Sequence, residues 1–260
     1  MNSLQFPFLY TPGKDPVVIF CNGLGGFPWD SEFPLKVEKH VTQTRGHGFF
    51  RFQYRFIGEE TRVWDLNTWI EDILAVFDYL DHVQGVPKKR IIIGTSGGGQ
   101  AVVRAALKIP RKLHSLFLLS PGLDLDLSYM DIVSPGSVEK LRNGEKVIHP
   151  AVKGGAPALV DWHCLQEEYS ENDPIHHYDP IPIECPVRIL VGMDDCLVPY
   201  TKSLKYAGKL AAEDVEVCCL KGYGHSMETA PQVLPILDGL LTMNLDDAIS
   251  KKSNEANGVV

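Results

Sequence analysis

The sequence predicts an α/β fold with a mostly parallel sheet flanked by helices, and three observations support this. Short apolar runs alternate with helical patterns along the chain, which is the order of βαβ units. Several of these runs are almost continuous Val, Ile and Leu, as strands buried on both faces are. The 260 residues, 44% of them hydrophobic, suffice for one large domain with its own core.

Six apolar runs bounded by turn residues are predicted as strands: 17–21, 49–54, 90–94, 115–120, 187–191 and 215–220. The clearest helix has apolar residues at spacings of three and four from Ile70 to Leu80, opened by a Thr68…Glu71 capping box. Further helices are predicted at 101–107, 202–212 and 236–249.

The stretch from residue 123 to residue 182 interrupts this alternation because it is long and rich in Pro and Gly. Its length exceeds that of a plain connection, so we expect a helical cap or lid, with an irregular surface excursion as the alternative. Residues 1–122 and 183–250 are then predicted to form one core domain with the insertion 123–182. Residues 251–260 are predicted to be a frayed tail.

Charge and composition argue against several classes of protein. The formal charge of −8 and the shortness of the basic clusters argue against a nucleic-acid partner. No apolar run approaches the roughly 20 residues of a membrane span. Of the six cysteines, Cys218 and Cys219 are adjacent and the others are scattered, and the first residues lack the positive charge of a signal peptide. We therefore expect a soluble intracellular protein with reduced thiols, cytoplasmic, or mitochondrial if a targeting segment has been removed. The sequence sets no oligomeric state.

The segment Gly94-Thr95-Ser96-Gly97-Gly98 has the form G-x-S-x-G, between a run of isoleucines and an alanine-rich helix. This is the setting of the nucleophile elbow of an α/β hydrolase, in which a sharp strand-to-helix turn exposes the serine and the glycines let the turn close. A phosphate-binding loop is the alternative, but the motifs of P-loops and dinucleotide folds are missing. We therefore predict the α/β-hydrolase fold with Ser96 as its nucleophile.

A serine nucleophile needs a general base and an acid, which follow it in the order Ser, acid, His in this fold. Asp195 stands just after one predicted strand and His225 just after the next, where the strand ends of an open α/β sheet assemble a site. We predict Asp195 as the acid and His225 as the base. Asp194 and Asp124 are the alternative acids.

An oxyanion hole of backbone N–H groups completes such a site. One donor is predicted to be Gly97, the residue after the nucleophile, at the positive end of a helix dipole. The second is predicted to be Leu24, in the glycine-rich loop after the strand 17–21. A simple glycine turn is the alternative interpretation of that loop.

These motifs resemble those of the α/β-hydrolase-domain proteins, most closely the mitochondrial palmitoyl-protein thioesterases of that group. The resemblance is densest over residues 181–227, which contain the Asp195 and His225 motifs. It implies hydrolysis of acyl thioesters or related acyl esters, acyl glucuronides included, through acylation of Ser96. The chain departs from the pattern Arg-Phe-Asp-Tyr-x-Gly-x-Gly at residues 51–58, and Asn22 replaces a proline common before the oxyanion glycine.

The predicted function is that of an acyl-protein thioesterase or esterase that uses no cofactor and no metal, with a small molecule or an acylated protein as its substrate. Either Met130, Trp162 and Leu165 line an acyl pocket or they pack the cap itself. The pair His176-His177 lacks a third metal ligand, which predicts a structural role. A serine aminopeptidase or other amide hydrolase is the first alternative, and a non-catalytic binding module of the same fold is the second.

Overall fold

A computed structural model describes residues 4–24, 29, 31–55, 62–63, 65–109, 113–124, 131, 134–149, 158–160 and 173–243 of the chain. The strands of these residues are β1 (Phe8–Thr11), β2 (Lys14–Cys21), β3 (His47–Phe52), β4 (Arg62–Val63), β5 (Arg90–Thr95), β6 (Ser115–Leu119), β7 (Val147–His149), β8 (Ala158–Val160), β9 (Val187–Gly192) and β10 (Val215–Leu220). The helices are α1 (Glu32–Lys39), with a π-helical turn after it (His40–Thr44), α2 (Leu66–His82), α3 (Gly97–Lys108), α4 (Ser137–Arg142), α5 (Pro174–His177), α6 (Tyr200–Ala207) and α7 (Val233–Thr242).

The main sheet has seven strands in the order β1-β3-β2-β5-β6-β9-β10. All neighbours are parallel except β1, which lies antiparallel to β3 at one edge. The prediction of a mostly parallel sheet is confirmed, and each of the six predicted strands overlaps an observed one. Because the strands are parallel, their carboxyl ends meet at one edge of the sheet, which is where this topology places the ligand site.

The sheet is covered on both faces, as continuous apolar strands require. Successive residues of a strand point to opposite faces, so Ile92 joins the core layer of α2 and α3, whereas Ile91 and Ile93 join that of α1 and α7. No helix in the described part of the chain is both long and apolar enough to cross a membrane.

Helix α2 begins earlier than the sequence analysis predicts. Its N-cap is Asp65, whose carboxylate accepts from the backbone N–H groups of Asn67 and Thr68. The Thr68 hydroxyl donates to the same carboxylate at 2.8 Å, so Thr68 lies inside the first turn. The predicted Thr68…Glu71 capping box is therefore wrong, because an aspartate already satisfies the first free N–H groups of the helix.

Helix α6 ends at Ala207, short of the predicted residue 212. The chain beyond it turns to pair with Ile181, whose N–H donates to Lys209 O at 2.7 Å and whose carbonyl accepts from Ala211 N at 2.8 Å. This non-local pairing supplies the backbone hydrogen bonds that further helical turns would have made.

The described part of the insertion 123–182 contains the short helices α4 and α5 and, in contrast to the predicted helical cap, two strands. Strand β8 pairs parallel with β4 and antiparallel with β7, so a three-stranded sheet joins the insertion to the segment between β3 and α2. All seven strands of the main sheet lie outside residues 123–182. That the insertion is a separate cap stays a prediction, and the predicted tail 251–260 lies outside the described residues.

An ion pair fastens α7 to the turn after α1. The Asp238 carboxylate accepts from the Arg45 guanidinium, and His40 Nε2 lies 2.6 Å from Asp238 Oδ1. The hydrogen bond from Arg45, assisted by His40, holds the pKa of the Asp238 carboxyl below its ordinary value.

The variant Asp238→Asn should therefore lower the free energy of unfolding at neutral pH by about 1 kcal/mol or less, because solvent screens the 40% exposed Arg45 side chain. A carboxyl whose pKa is lowered by folding stabilises above its unfolded pKa of about 4, and this stabilisation is lost as the pH falls through the folded pKa. Urea unfolding of both proteins from neutral to acid pH should show the difference shrinking below about pH 4. A difference of constant size would exclude the charge as its source.

Candidate active site

Ser96 lies at the junction of β5 and α3, as the elbow motif predicts. Its backbone has φ 48° and ψ −123°, a region that residues with a side chain rarely adopt. Hydrogen bonds hold this conformation: Ser96 N–H donates to Leu119 O at 3.0 Å, and Ser96 O accepts from Gly99 N and Gly122 N, each at 2.9 Å. The turn is thus tied to α3 and to the strand beside β5.

The glycines of the motif permit close contacts between backbones. A Cβ atom on Gly98 would lie 2.4 Å from Asn22 O, and one on Gly94 would lie 2.8 Å from Gly99 Cα. Both distances are shorter than van der Waals contact, so α3 lies this close to the end of β2, at Gly98, and to β5, at Gly94, only because these side chains are absent.

The variant Gly98→Ala should consequently lower the free energy of unfolding by about 2 kcal/mol or more, because the obstacle is backbone rather than a movable side chain. Gly239→Ala is the matched control, since a Cβ there, in α7, meets nothing within 4 Å. It should stabilise by about 0.5–1 kcal/mol. Denaturant midpoints of both variants test this, and equal stabilities would contradict the packing interpretation.

The structure brings the three predicted catalytic residues together. Nε2 of His225 lies 2.8 Å from Oγ of Ser96, and Nδ1 of His225 lies 2.8 Å from Oδ2 of Asp195. A neutral imidazole with its proton on Nδ1 therefore accepts from the serine hydroxyl and donates to the carboxylate. Asp195 and His225 reach Ser96 from loops that follow β9 and β10, the two strands at one side of the sheet.

Asp195 is distinguished from the two alternative acids by its surroundings. Its side chain is 0% exposed, and Oδ1 accepts from the N–H groups of Leu197 and Val198, each at 2.9 Å, which leaves Oδ2 facing His225. Asp194 is exposed to solvent. The carboxylate of Asp124 contacts lysine and histidine side chains outside the triad.

The loop after β2 lies against the nucleophile. Gly23 N–H donates to Thr95 Oγ1 at 2.8 Å, and a Cβ on Gly23 would lie 2.9 Å from Ser96 Cβ. Leu24 directly follows and is buried in the core. That Leu24 and Gly97 donate to an oxyanion stays a prediction. Met130, Trp162 and Leu165 lie outside the described residues.

Two residues that sequence reasoning missed are Thr95 and Gly122. Thr95 fastens the loop after β2 to the elbow, although it occupies a variable position of the G-x-S-x-G motif. Gly122 donates to the Ser96 carbonyl, and the Pro121-Gly122 pair after β6, which is typical of a turn, could have indicated this position.

His176 lies in α5 with Nε2 3.0 Å from Asp124 Oδ1, and the described residues contain no group of three or more possible metal ligands.

Similar proteins place the chain in a family. The profile of the Hydrolase_4 family, serine aminopeptidase S33, matches residues 37–180, more than half of the chain. The mitochondrial palmitoyl-protein thioesterase ABHD10 of Mus musculus is 28% identical over 249 residues, which cover 93% of this chain and 77% of the relative. A bifunctional esterase/perhydrolase of Acinetobacter calcoaceticus is 25% identical over 262 residues, covering 84% of this chain and 88% of the relative.

The solved structure of alpha/beta hydrolase domain-containing protein 10 from mouse superposes with a TM-score of 0.72 at 24% identity, covering 96% of this chain and 97% of that one. This likeness confirms the predicted α/β-hydrolase fold. The chain belongs to the serine aminopeptidase S33 family and is a hydrolase of the α/β-hydrolase fold, homologous to the palmitoyl-protein thioesterase ABHD10.

Proposed function

We propose that this protein is a serine hydrolase that cleaves carboxylic esters or acyl thioesters through an acyl-enzyme on Ser96. The observation that supports this most directly is the pair of 2.8 Å contacts from Ser96 Oγ to His225 Nε2 and from His225 Nδ1 to Asp195 Oδ2. A serine hydroxyl is a weak nucleophile at neutral pH unless a base, oriented by a third group, stands within this distance.

In the acylation step, Ser96 Oγ attacks the substrate carbonyl carbon and its proton passes to His225 Nε2. Asp195 stabilises the imidazolium through Oδ2. The negative charge that develops on the carbonyl oxygen is stabilised by the N–H groups of Leu24 and Gly97, the latter at the positive end of α3. When the tetrahedral intermediate collapses, His225 returns the proton to the leaving thiol or alcohol, and the acyl group stays on Oγ.

Deacylation uses the same groups with water as the nucleophile. Water gives a proton to His225 Nε2 while its oxygen attacks the acyl carbon. Collapse of the second intermediate breaks the bond to Ser96 Oγ, returns the proton to that oxygen and releases a carboxylic acid. These steps balance without a cofactor.

An acyl thioester, free or on a protein, is the substrate class that the relatives favour. One relative is named a palmitoyl-protein thioesterase and another an esterase/perhydrolase. Each of these activities proceeds through an acyl group, and the proposed triad can pass such a group from sulfur or from oxygen to water.

The test is labelling of the purified protein with a fluorophosphonate, followed by mapping of the labelled peptide. We expect one adduct, on Ser96. Acyl-cysteine and acyl-CoA thioesters and p-nitrophenyl esters, from acetyl to palmitoyl, would then rank the substrates by kcat/KM. A folded protein that is neither labelled nor active on this panel would contradict the proposal and favour the non-catalytic binding module.

Aminopeptidase activity is the second candidate, because the matching family profile is described as serine aminopeptidase. The same triad can cleave an amide if His225 protonates the leaving amine. Aminoacyl p-nitroanilides, assayed beside the esters, separate the two candidates: a higher kcat/KM on the anilides would favour the peptidase.

A mitochondrial location is proposed from the ABHD10 relatives alone, since these are named as mitochondrial. Imaging of the tagged protein beside a mitochondrial marker tests this, and a purely cytoplasmic signal would contradict it.

A further inference from the structure

An ionic cluster around two buried carboxylates lies beside the nucleophile elbow and takes no part in the proposed proton transfers. Its anions are Asp124 and Asp173, which are 7% and 3% exposed. The Asp124 carboxylate contacts the ammonium groups of Lys202 and Lys205 and the imidazole of His176. We call these five residues the Asp124 cluster.

The cluster borders a loop, residues 120–124, that contacts the nucleophile. Gly122 N–H donates to Ser96 O at 2.9 Å. Ser96 N–H donates in turn to the carbonyl of Leu119, the residue just before the loop, at 3.0 Å. On its other side, Ser120 N–H donates to Leu190 O of β9 at 2.9 Å. The loop therefore bridges the strand that leads to Ser96 and the strand that leads to Asp195.

Backbone strain is concentrated in this loop and the elbow. Among the described residues, the non-glycine residues with positive φ are Ser96 at 48°, Ser120 at 40° and Asp124 at 49°. Each such conformation costs about 1–3 kcal/mol and persists only where surrounding contacts determine it. All three belong to the segments that the Gly122 to Ser96 hydrogen bond joins.

The Asp124 side chain supplies such contacts. Oδ2 lies 2.8 Å from Lys205 Nζ and 3.4 Å from Lys202 Nζ, and Oδ1 lies 3.0 Å from His176 Nε2. Burial alone would raise the pKa of this carboxyl, but the hydrogen bond from Lys205 and the charge of Lys202 hold the pKa below its ordinary value. Asp124 thus presents an ionised carboxylate that several polar side chains hold at the end of the loop.

Asp173 fixes the backbone of the same residue. Its Oδ2 accepts from Asp124 N–H at 3.3 Å, while its Oδ1 accepts from Ile175 N–H at 3.0 Å and from the Tyr206 hydroxyl at 3.2 Å. Tyr206, like the two lysines, lies in α6, the helix that follows the Asp195 loop. The cluster therefore holds the end of the 120–124 loop against the segment that supplies the acid.

We infer that Asp124 is a positioning residue for the reaction at Ser96: its carboxylate, bound by Lys202 and Lys205, holds the 120–124 loop where Gly122 fixes the Ser96 backbone. This inference rests on the proposed function. Without the carboxylate, the loop relaxes and Ser96 Oγ shifts relative to His225. Since a displacement of about 1 Å can cost up to about 100-fold in rate, the step that forms the bond to Oγ slows.

Three variants test this inference. Asp124→Asn removes the charge at nearly constant shape, and Asp124→Gly removes the side chain but accepts a positive φ without strain. The control Asp238→Asn removes a partly buried carboxylate with its own arginine and histidine partners, between α7 and the turn after α1. For each variant we would measure the fluorophosphonate rate constant, kcat and KM with a p-nitrophenyl ester, and the unfolding midpoint, in conditions where it is folded.

We expect Asp124→Asn and Asp124→Gly to lower both the labelling rate constant and kcat by about 10- to 100-fold with KM nearly unchanged. Asp238→Asn should lose stability and keep wild-type rates. Wild-type rates in Asp124→Asn would overturn the inference. Wild-type rates in Asp124→Gly would also overturn it, because the loop would then keep its position without the carboxylate once the backbone strain is relieved.

If Asp124→Asn does not fold, Lys205→Met decides, since Lys205 is half exposed and makes the shorter lysine contact. Wild-type rates in that variant would overturn the inference, and a loss in kcat at unchanged KM would support it. A wild-type protein that is not labelled at Ser96 overturns the proposed function as well. Equal labelling of the wild type and Asp124→Asn overturns this inference alone.

Discussion

Replacing Ser96 by alanine should remove fluorophosphonate labelling and lower kcat for an acyl ester by about 10⁵-fold or more. The variant lacks the oxygen that would form the covalent bond, so only transition-state binding by the remaining groups accelerates the attack of water. Active-site titration and steady-state hydrolysis measure the two effects. KM should change little, because the hydroxyl is small and lies at the reacting centre.

Ser115→Ala is the matched control for this variant. Ser115 is fully buried in β6, and its Oγ has no hydrogen-bond partner among the described residues. It stands at the amino end of its strand, away from the edge where Ser96, Asp195 and His225 meet. Labelling of Ser96→Ala at the wild-type rate, or equal loss of activity in both variants, would mean that Ser96 is not the nucleophile.

The parallel core of this fold is predictable because burial on both faces leaves a pattern in single strands. β5 and β6 are buried along their whole length except at Thr95. Strand β1 was not predicted because it has only four residues and is stabilised by non-local contacts. One of these is the stacking of the Phe8 ring on the Phe50 ring, with centroids 5.3 Å apart. Strands β4, β7 and β8 have two or three residues each, too few to show a period.

The site is predictable in part for a related reason. The order of Ser96, Asp195 and His225 and their positions after strands follow from the topology of the fold, which the sequence pattern reveals. The burial that separates Asp195 from Asp194 depends on how one turn folds, and that cannot be inferred from two adjacent aspartates. The partners of Asp124 could not be predicted either, since Lys205 is 81 residues away along the chain.

Asp195→Asn should lower kcat by about 10⁴-fold while leaving the protein folded. An asparagine that keeps the hydrogen bonds from Leu197 and Val198 must turn its NH₂ group toward His225, where the carboxylate oxygen now accepts from Nδ1. That arrangement favours the tautomer with its proton on Nε2, which cannot accept the proton of Ser96, and it leaves the imidazolium without its counter-charge.

The comparison with the other two acids decides the assignment. Asp194→Asn should keep a kcat close to that of the wild type because its side chain faces solvent, and Asp124→Asn should fall between the two. Steady-state kinetics with one ester, normalised to folded protein, rank the three variants. A loss in Asp194→Asn or Asp124→Asn as large as that in Asp195→Asn would contradict Asp195 as the residue that orients His225, because only Asp195, among the three, contacts the imidazole.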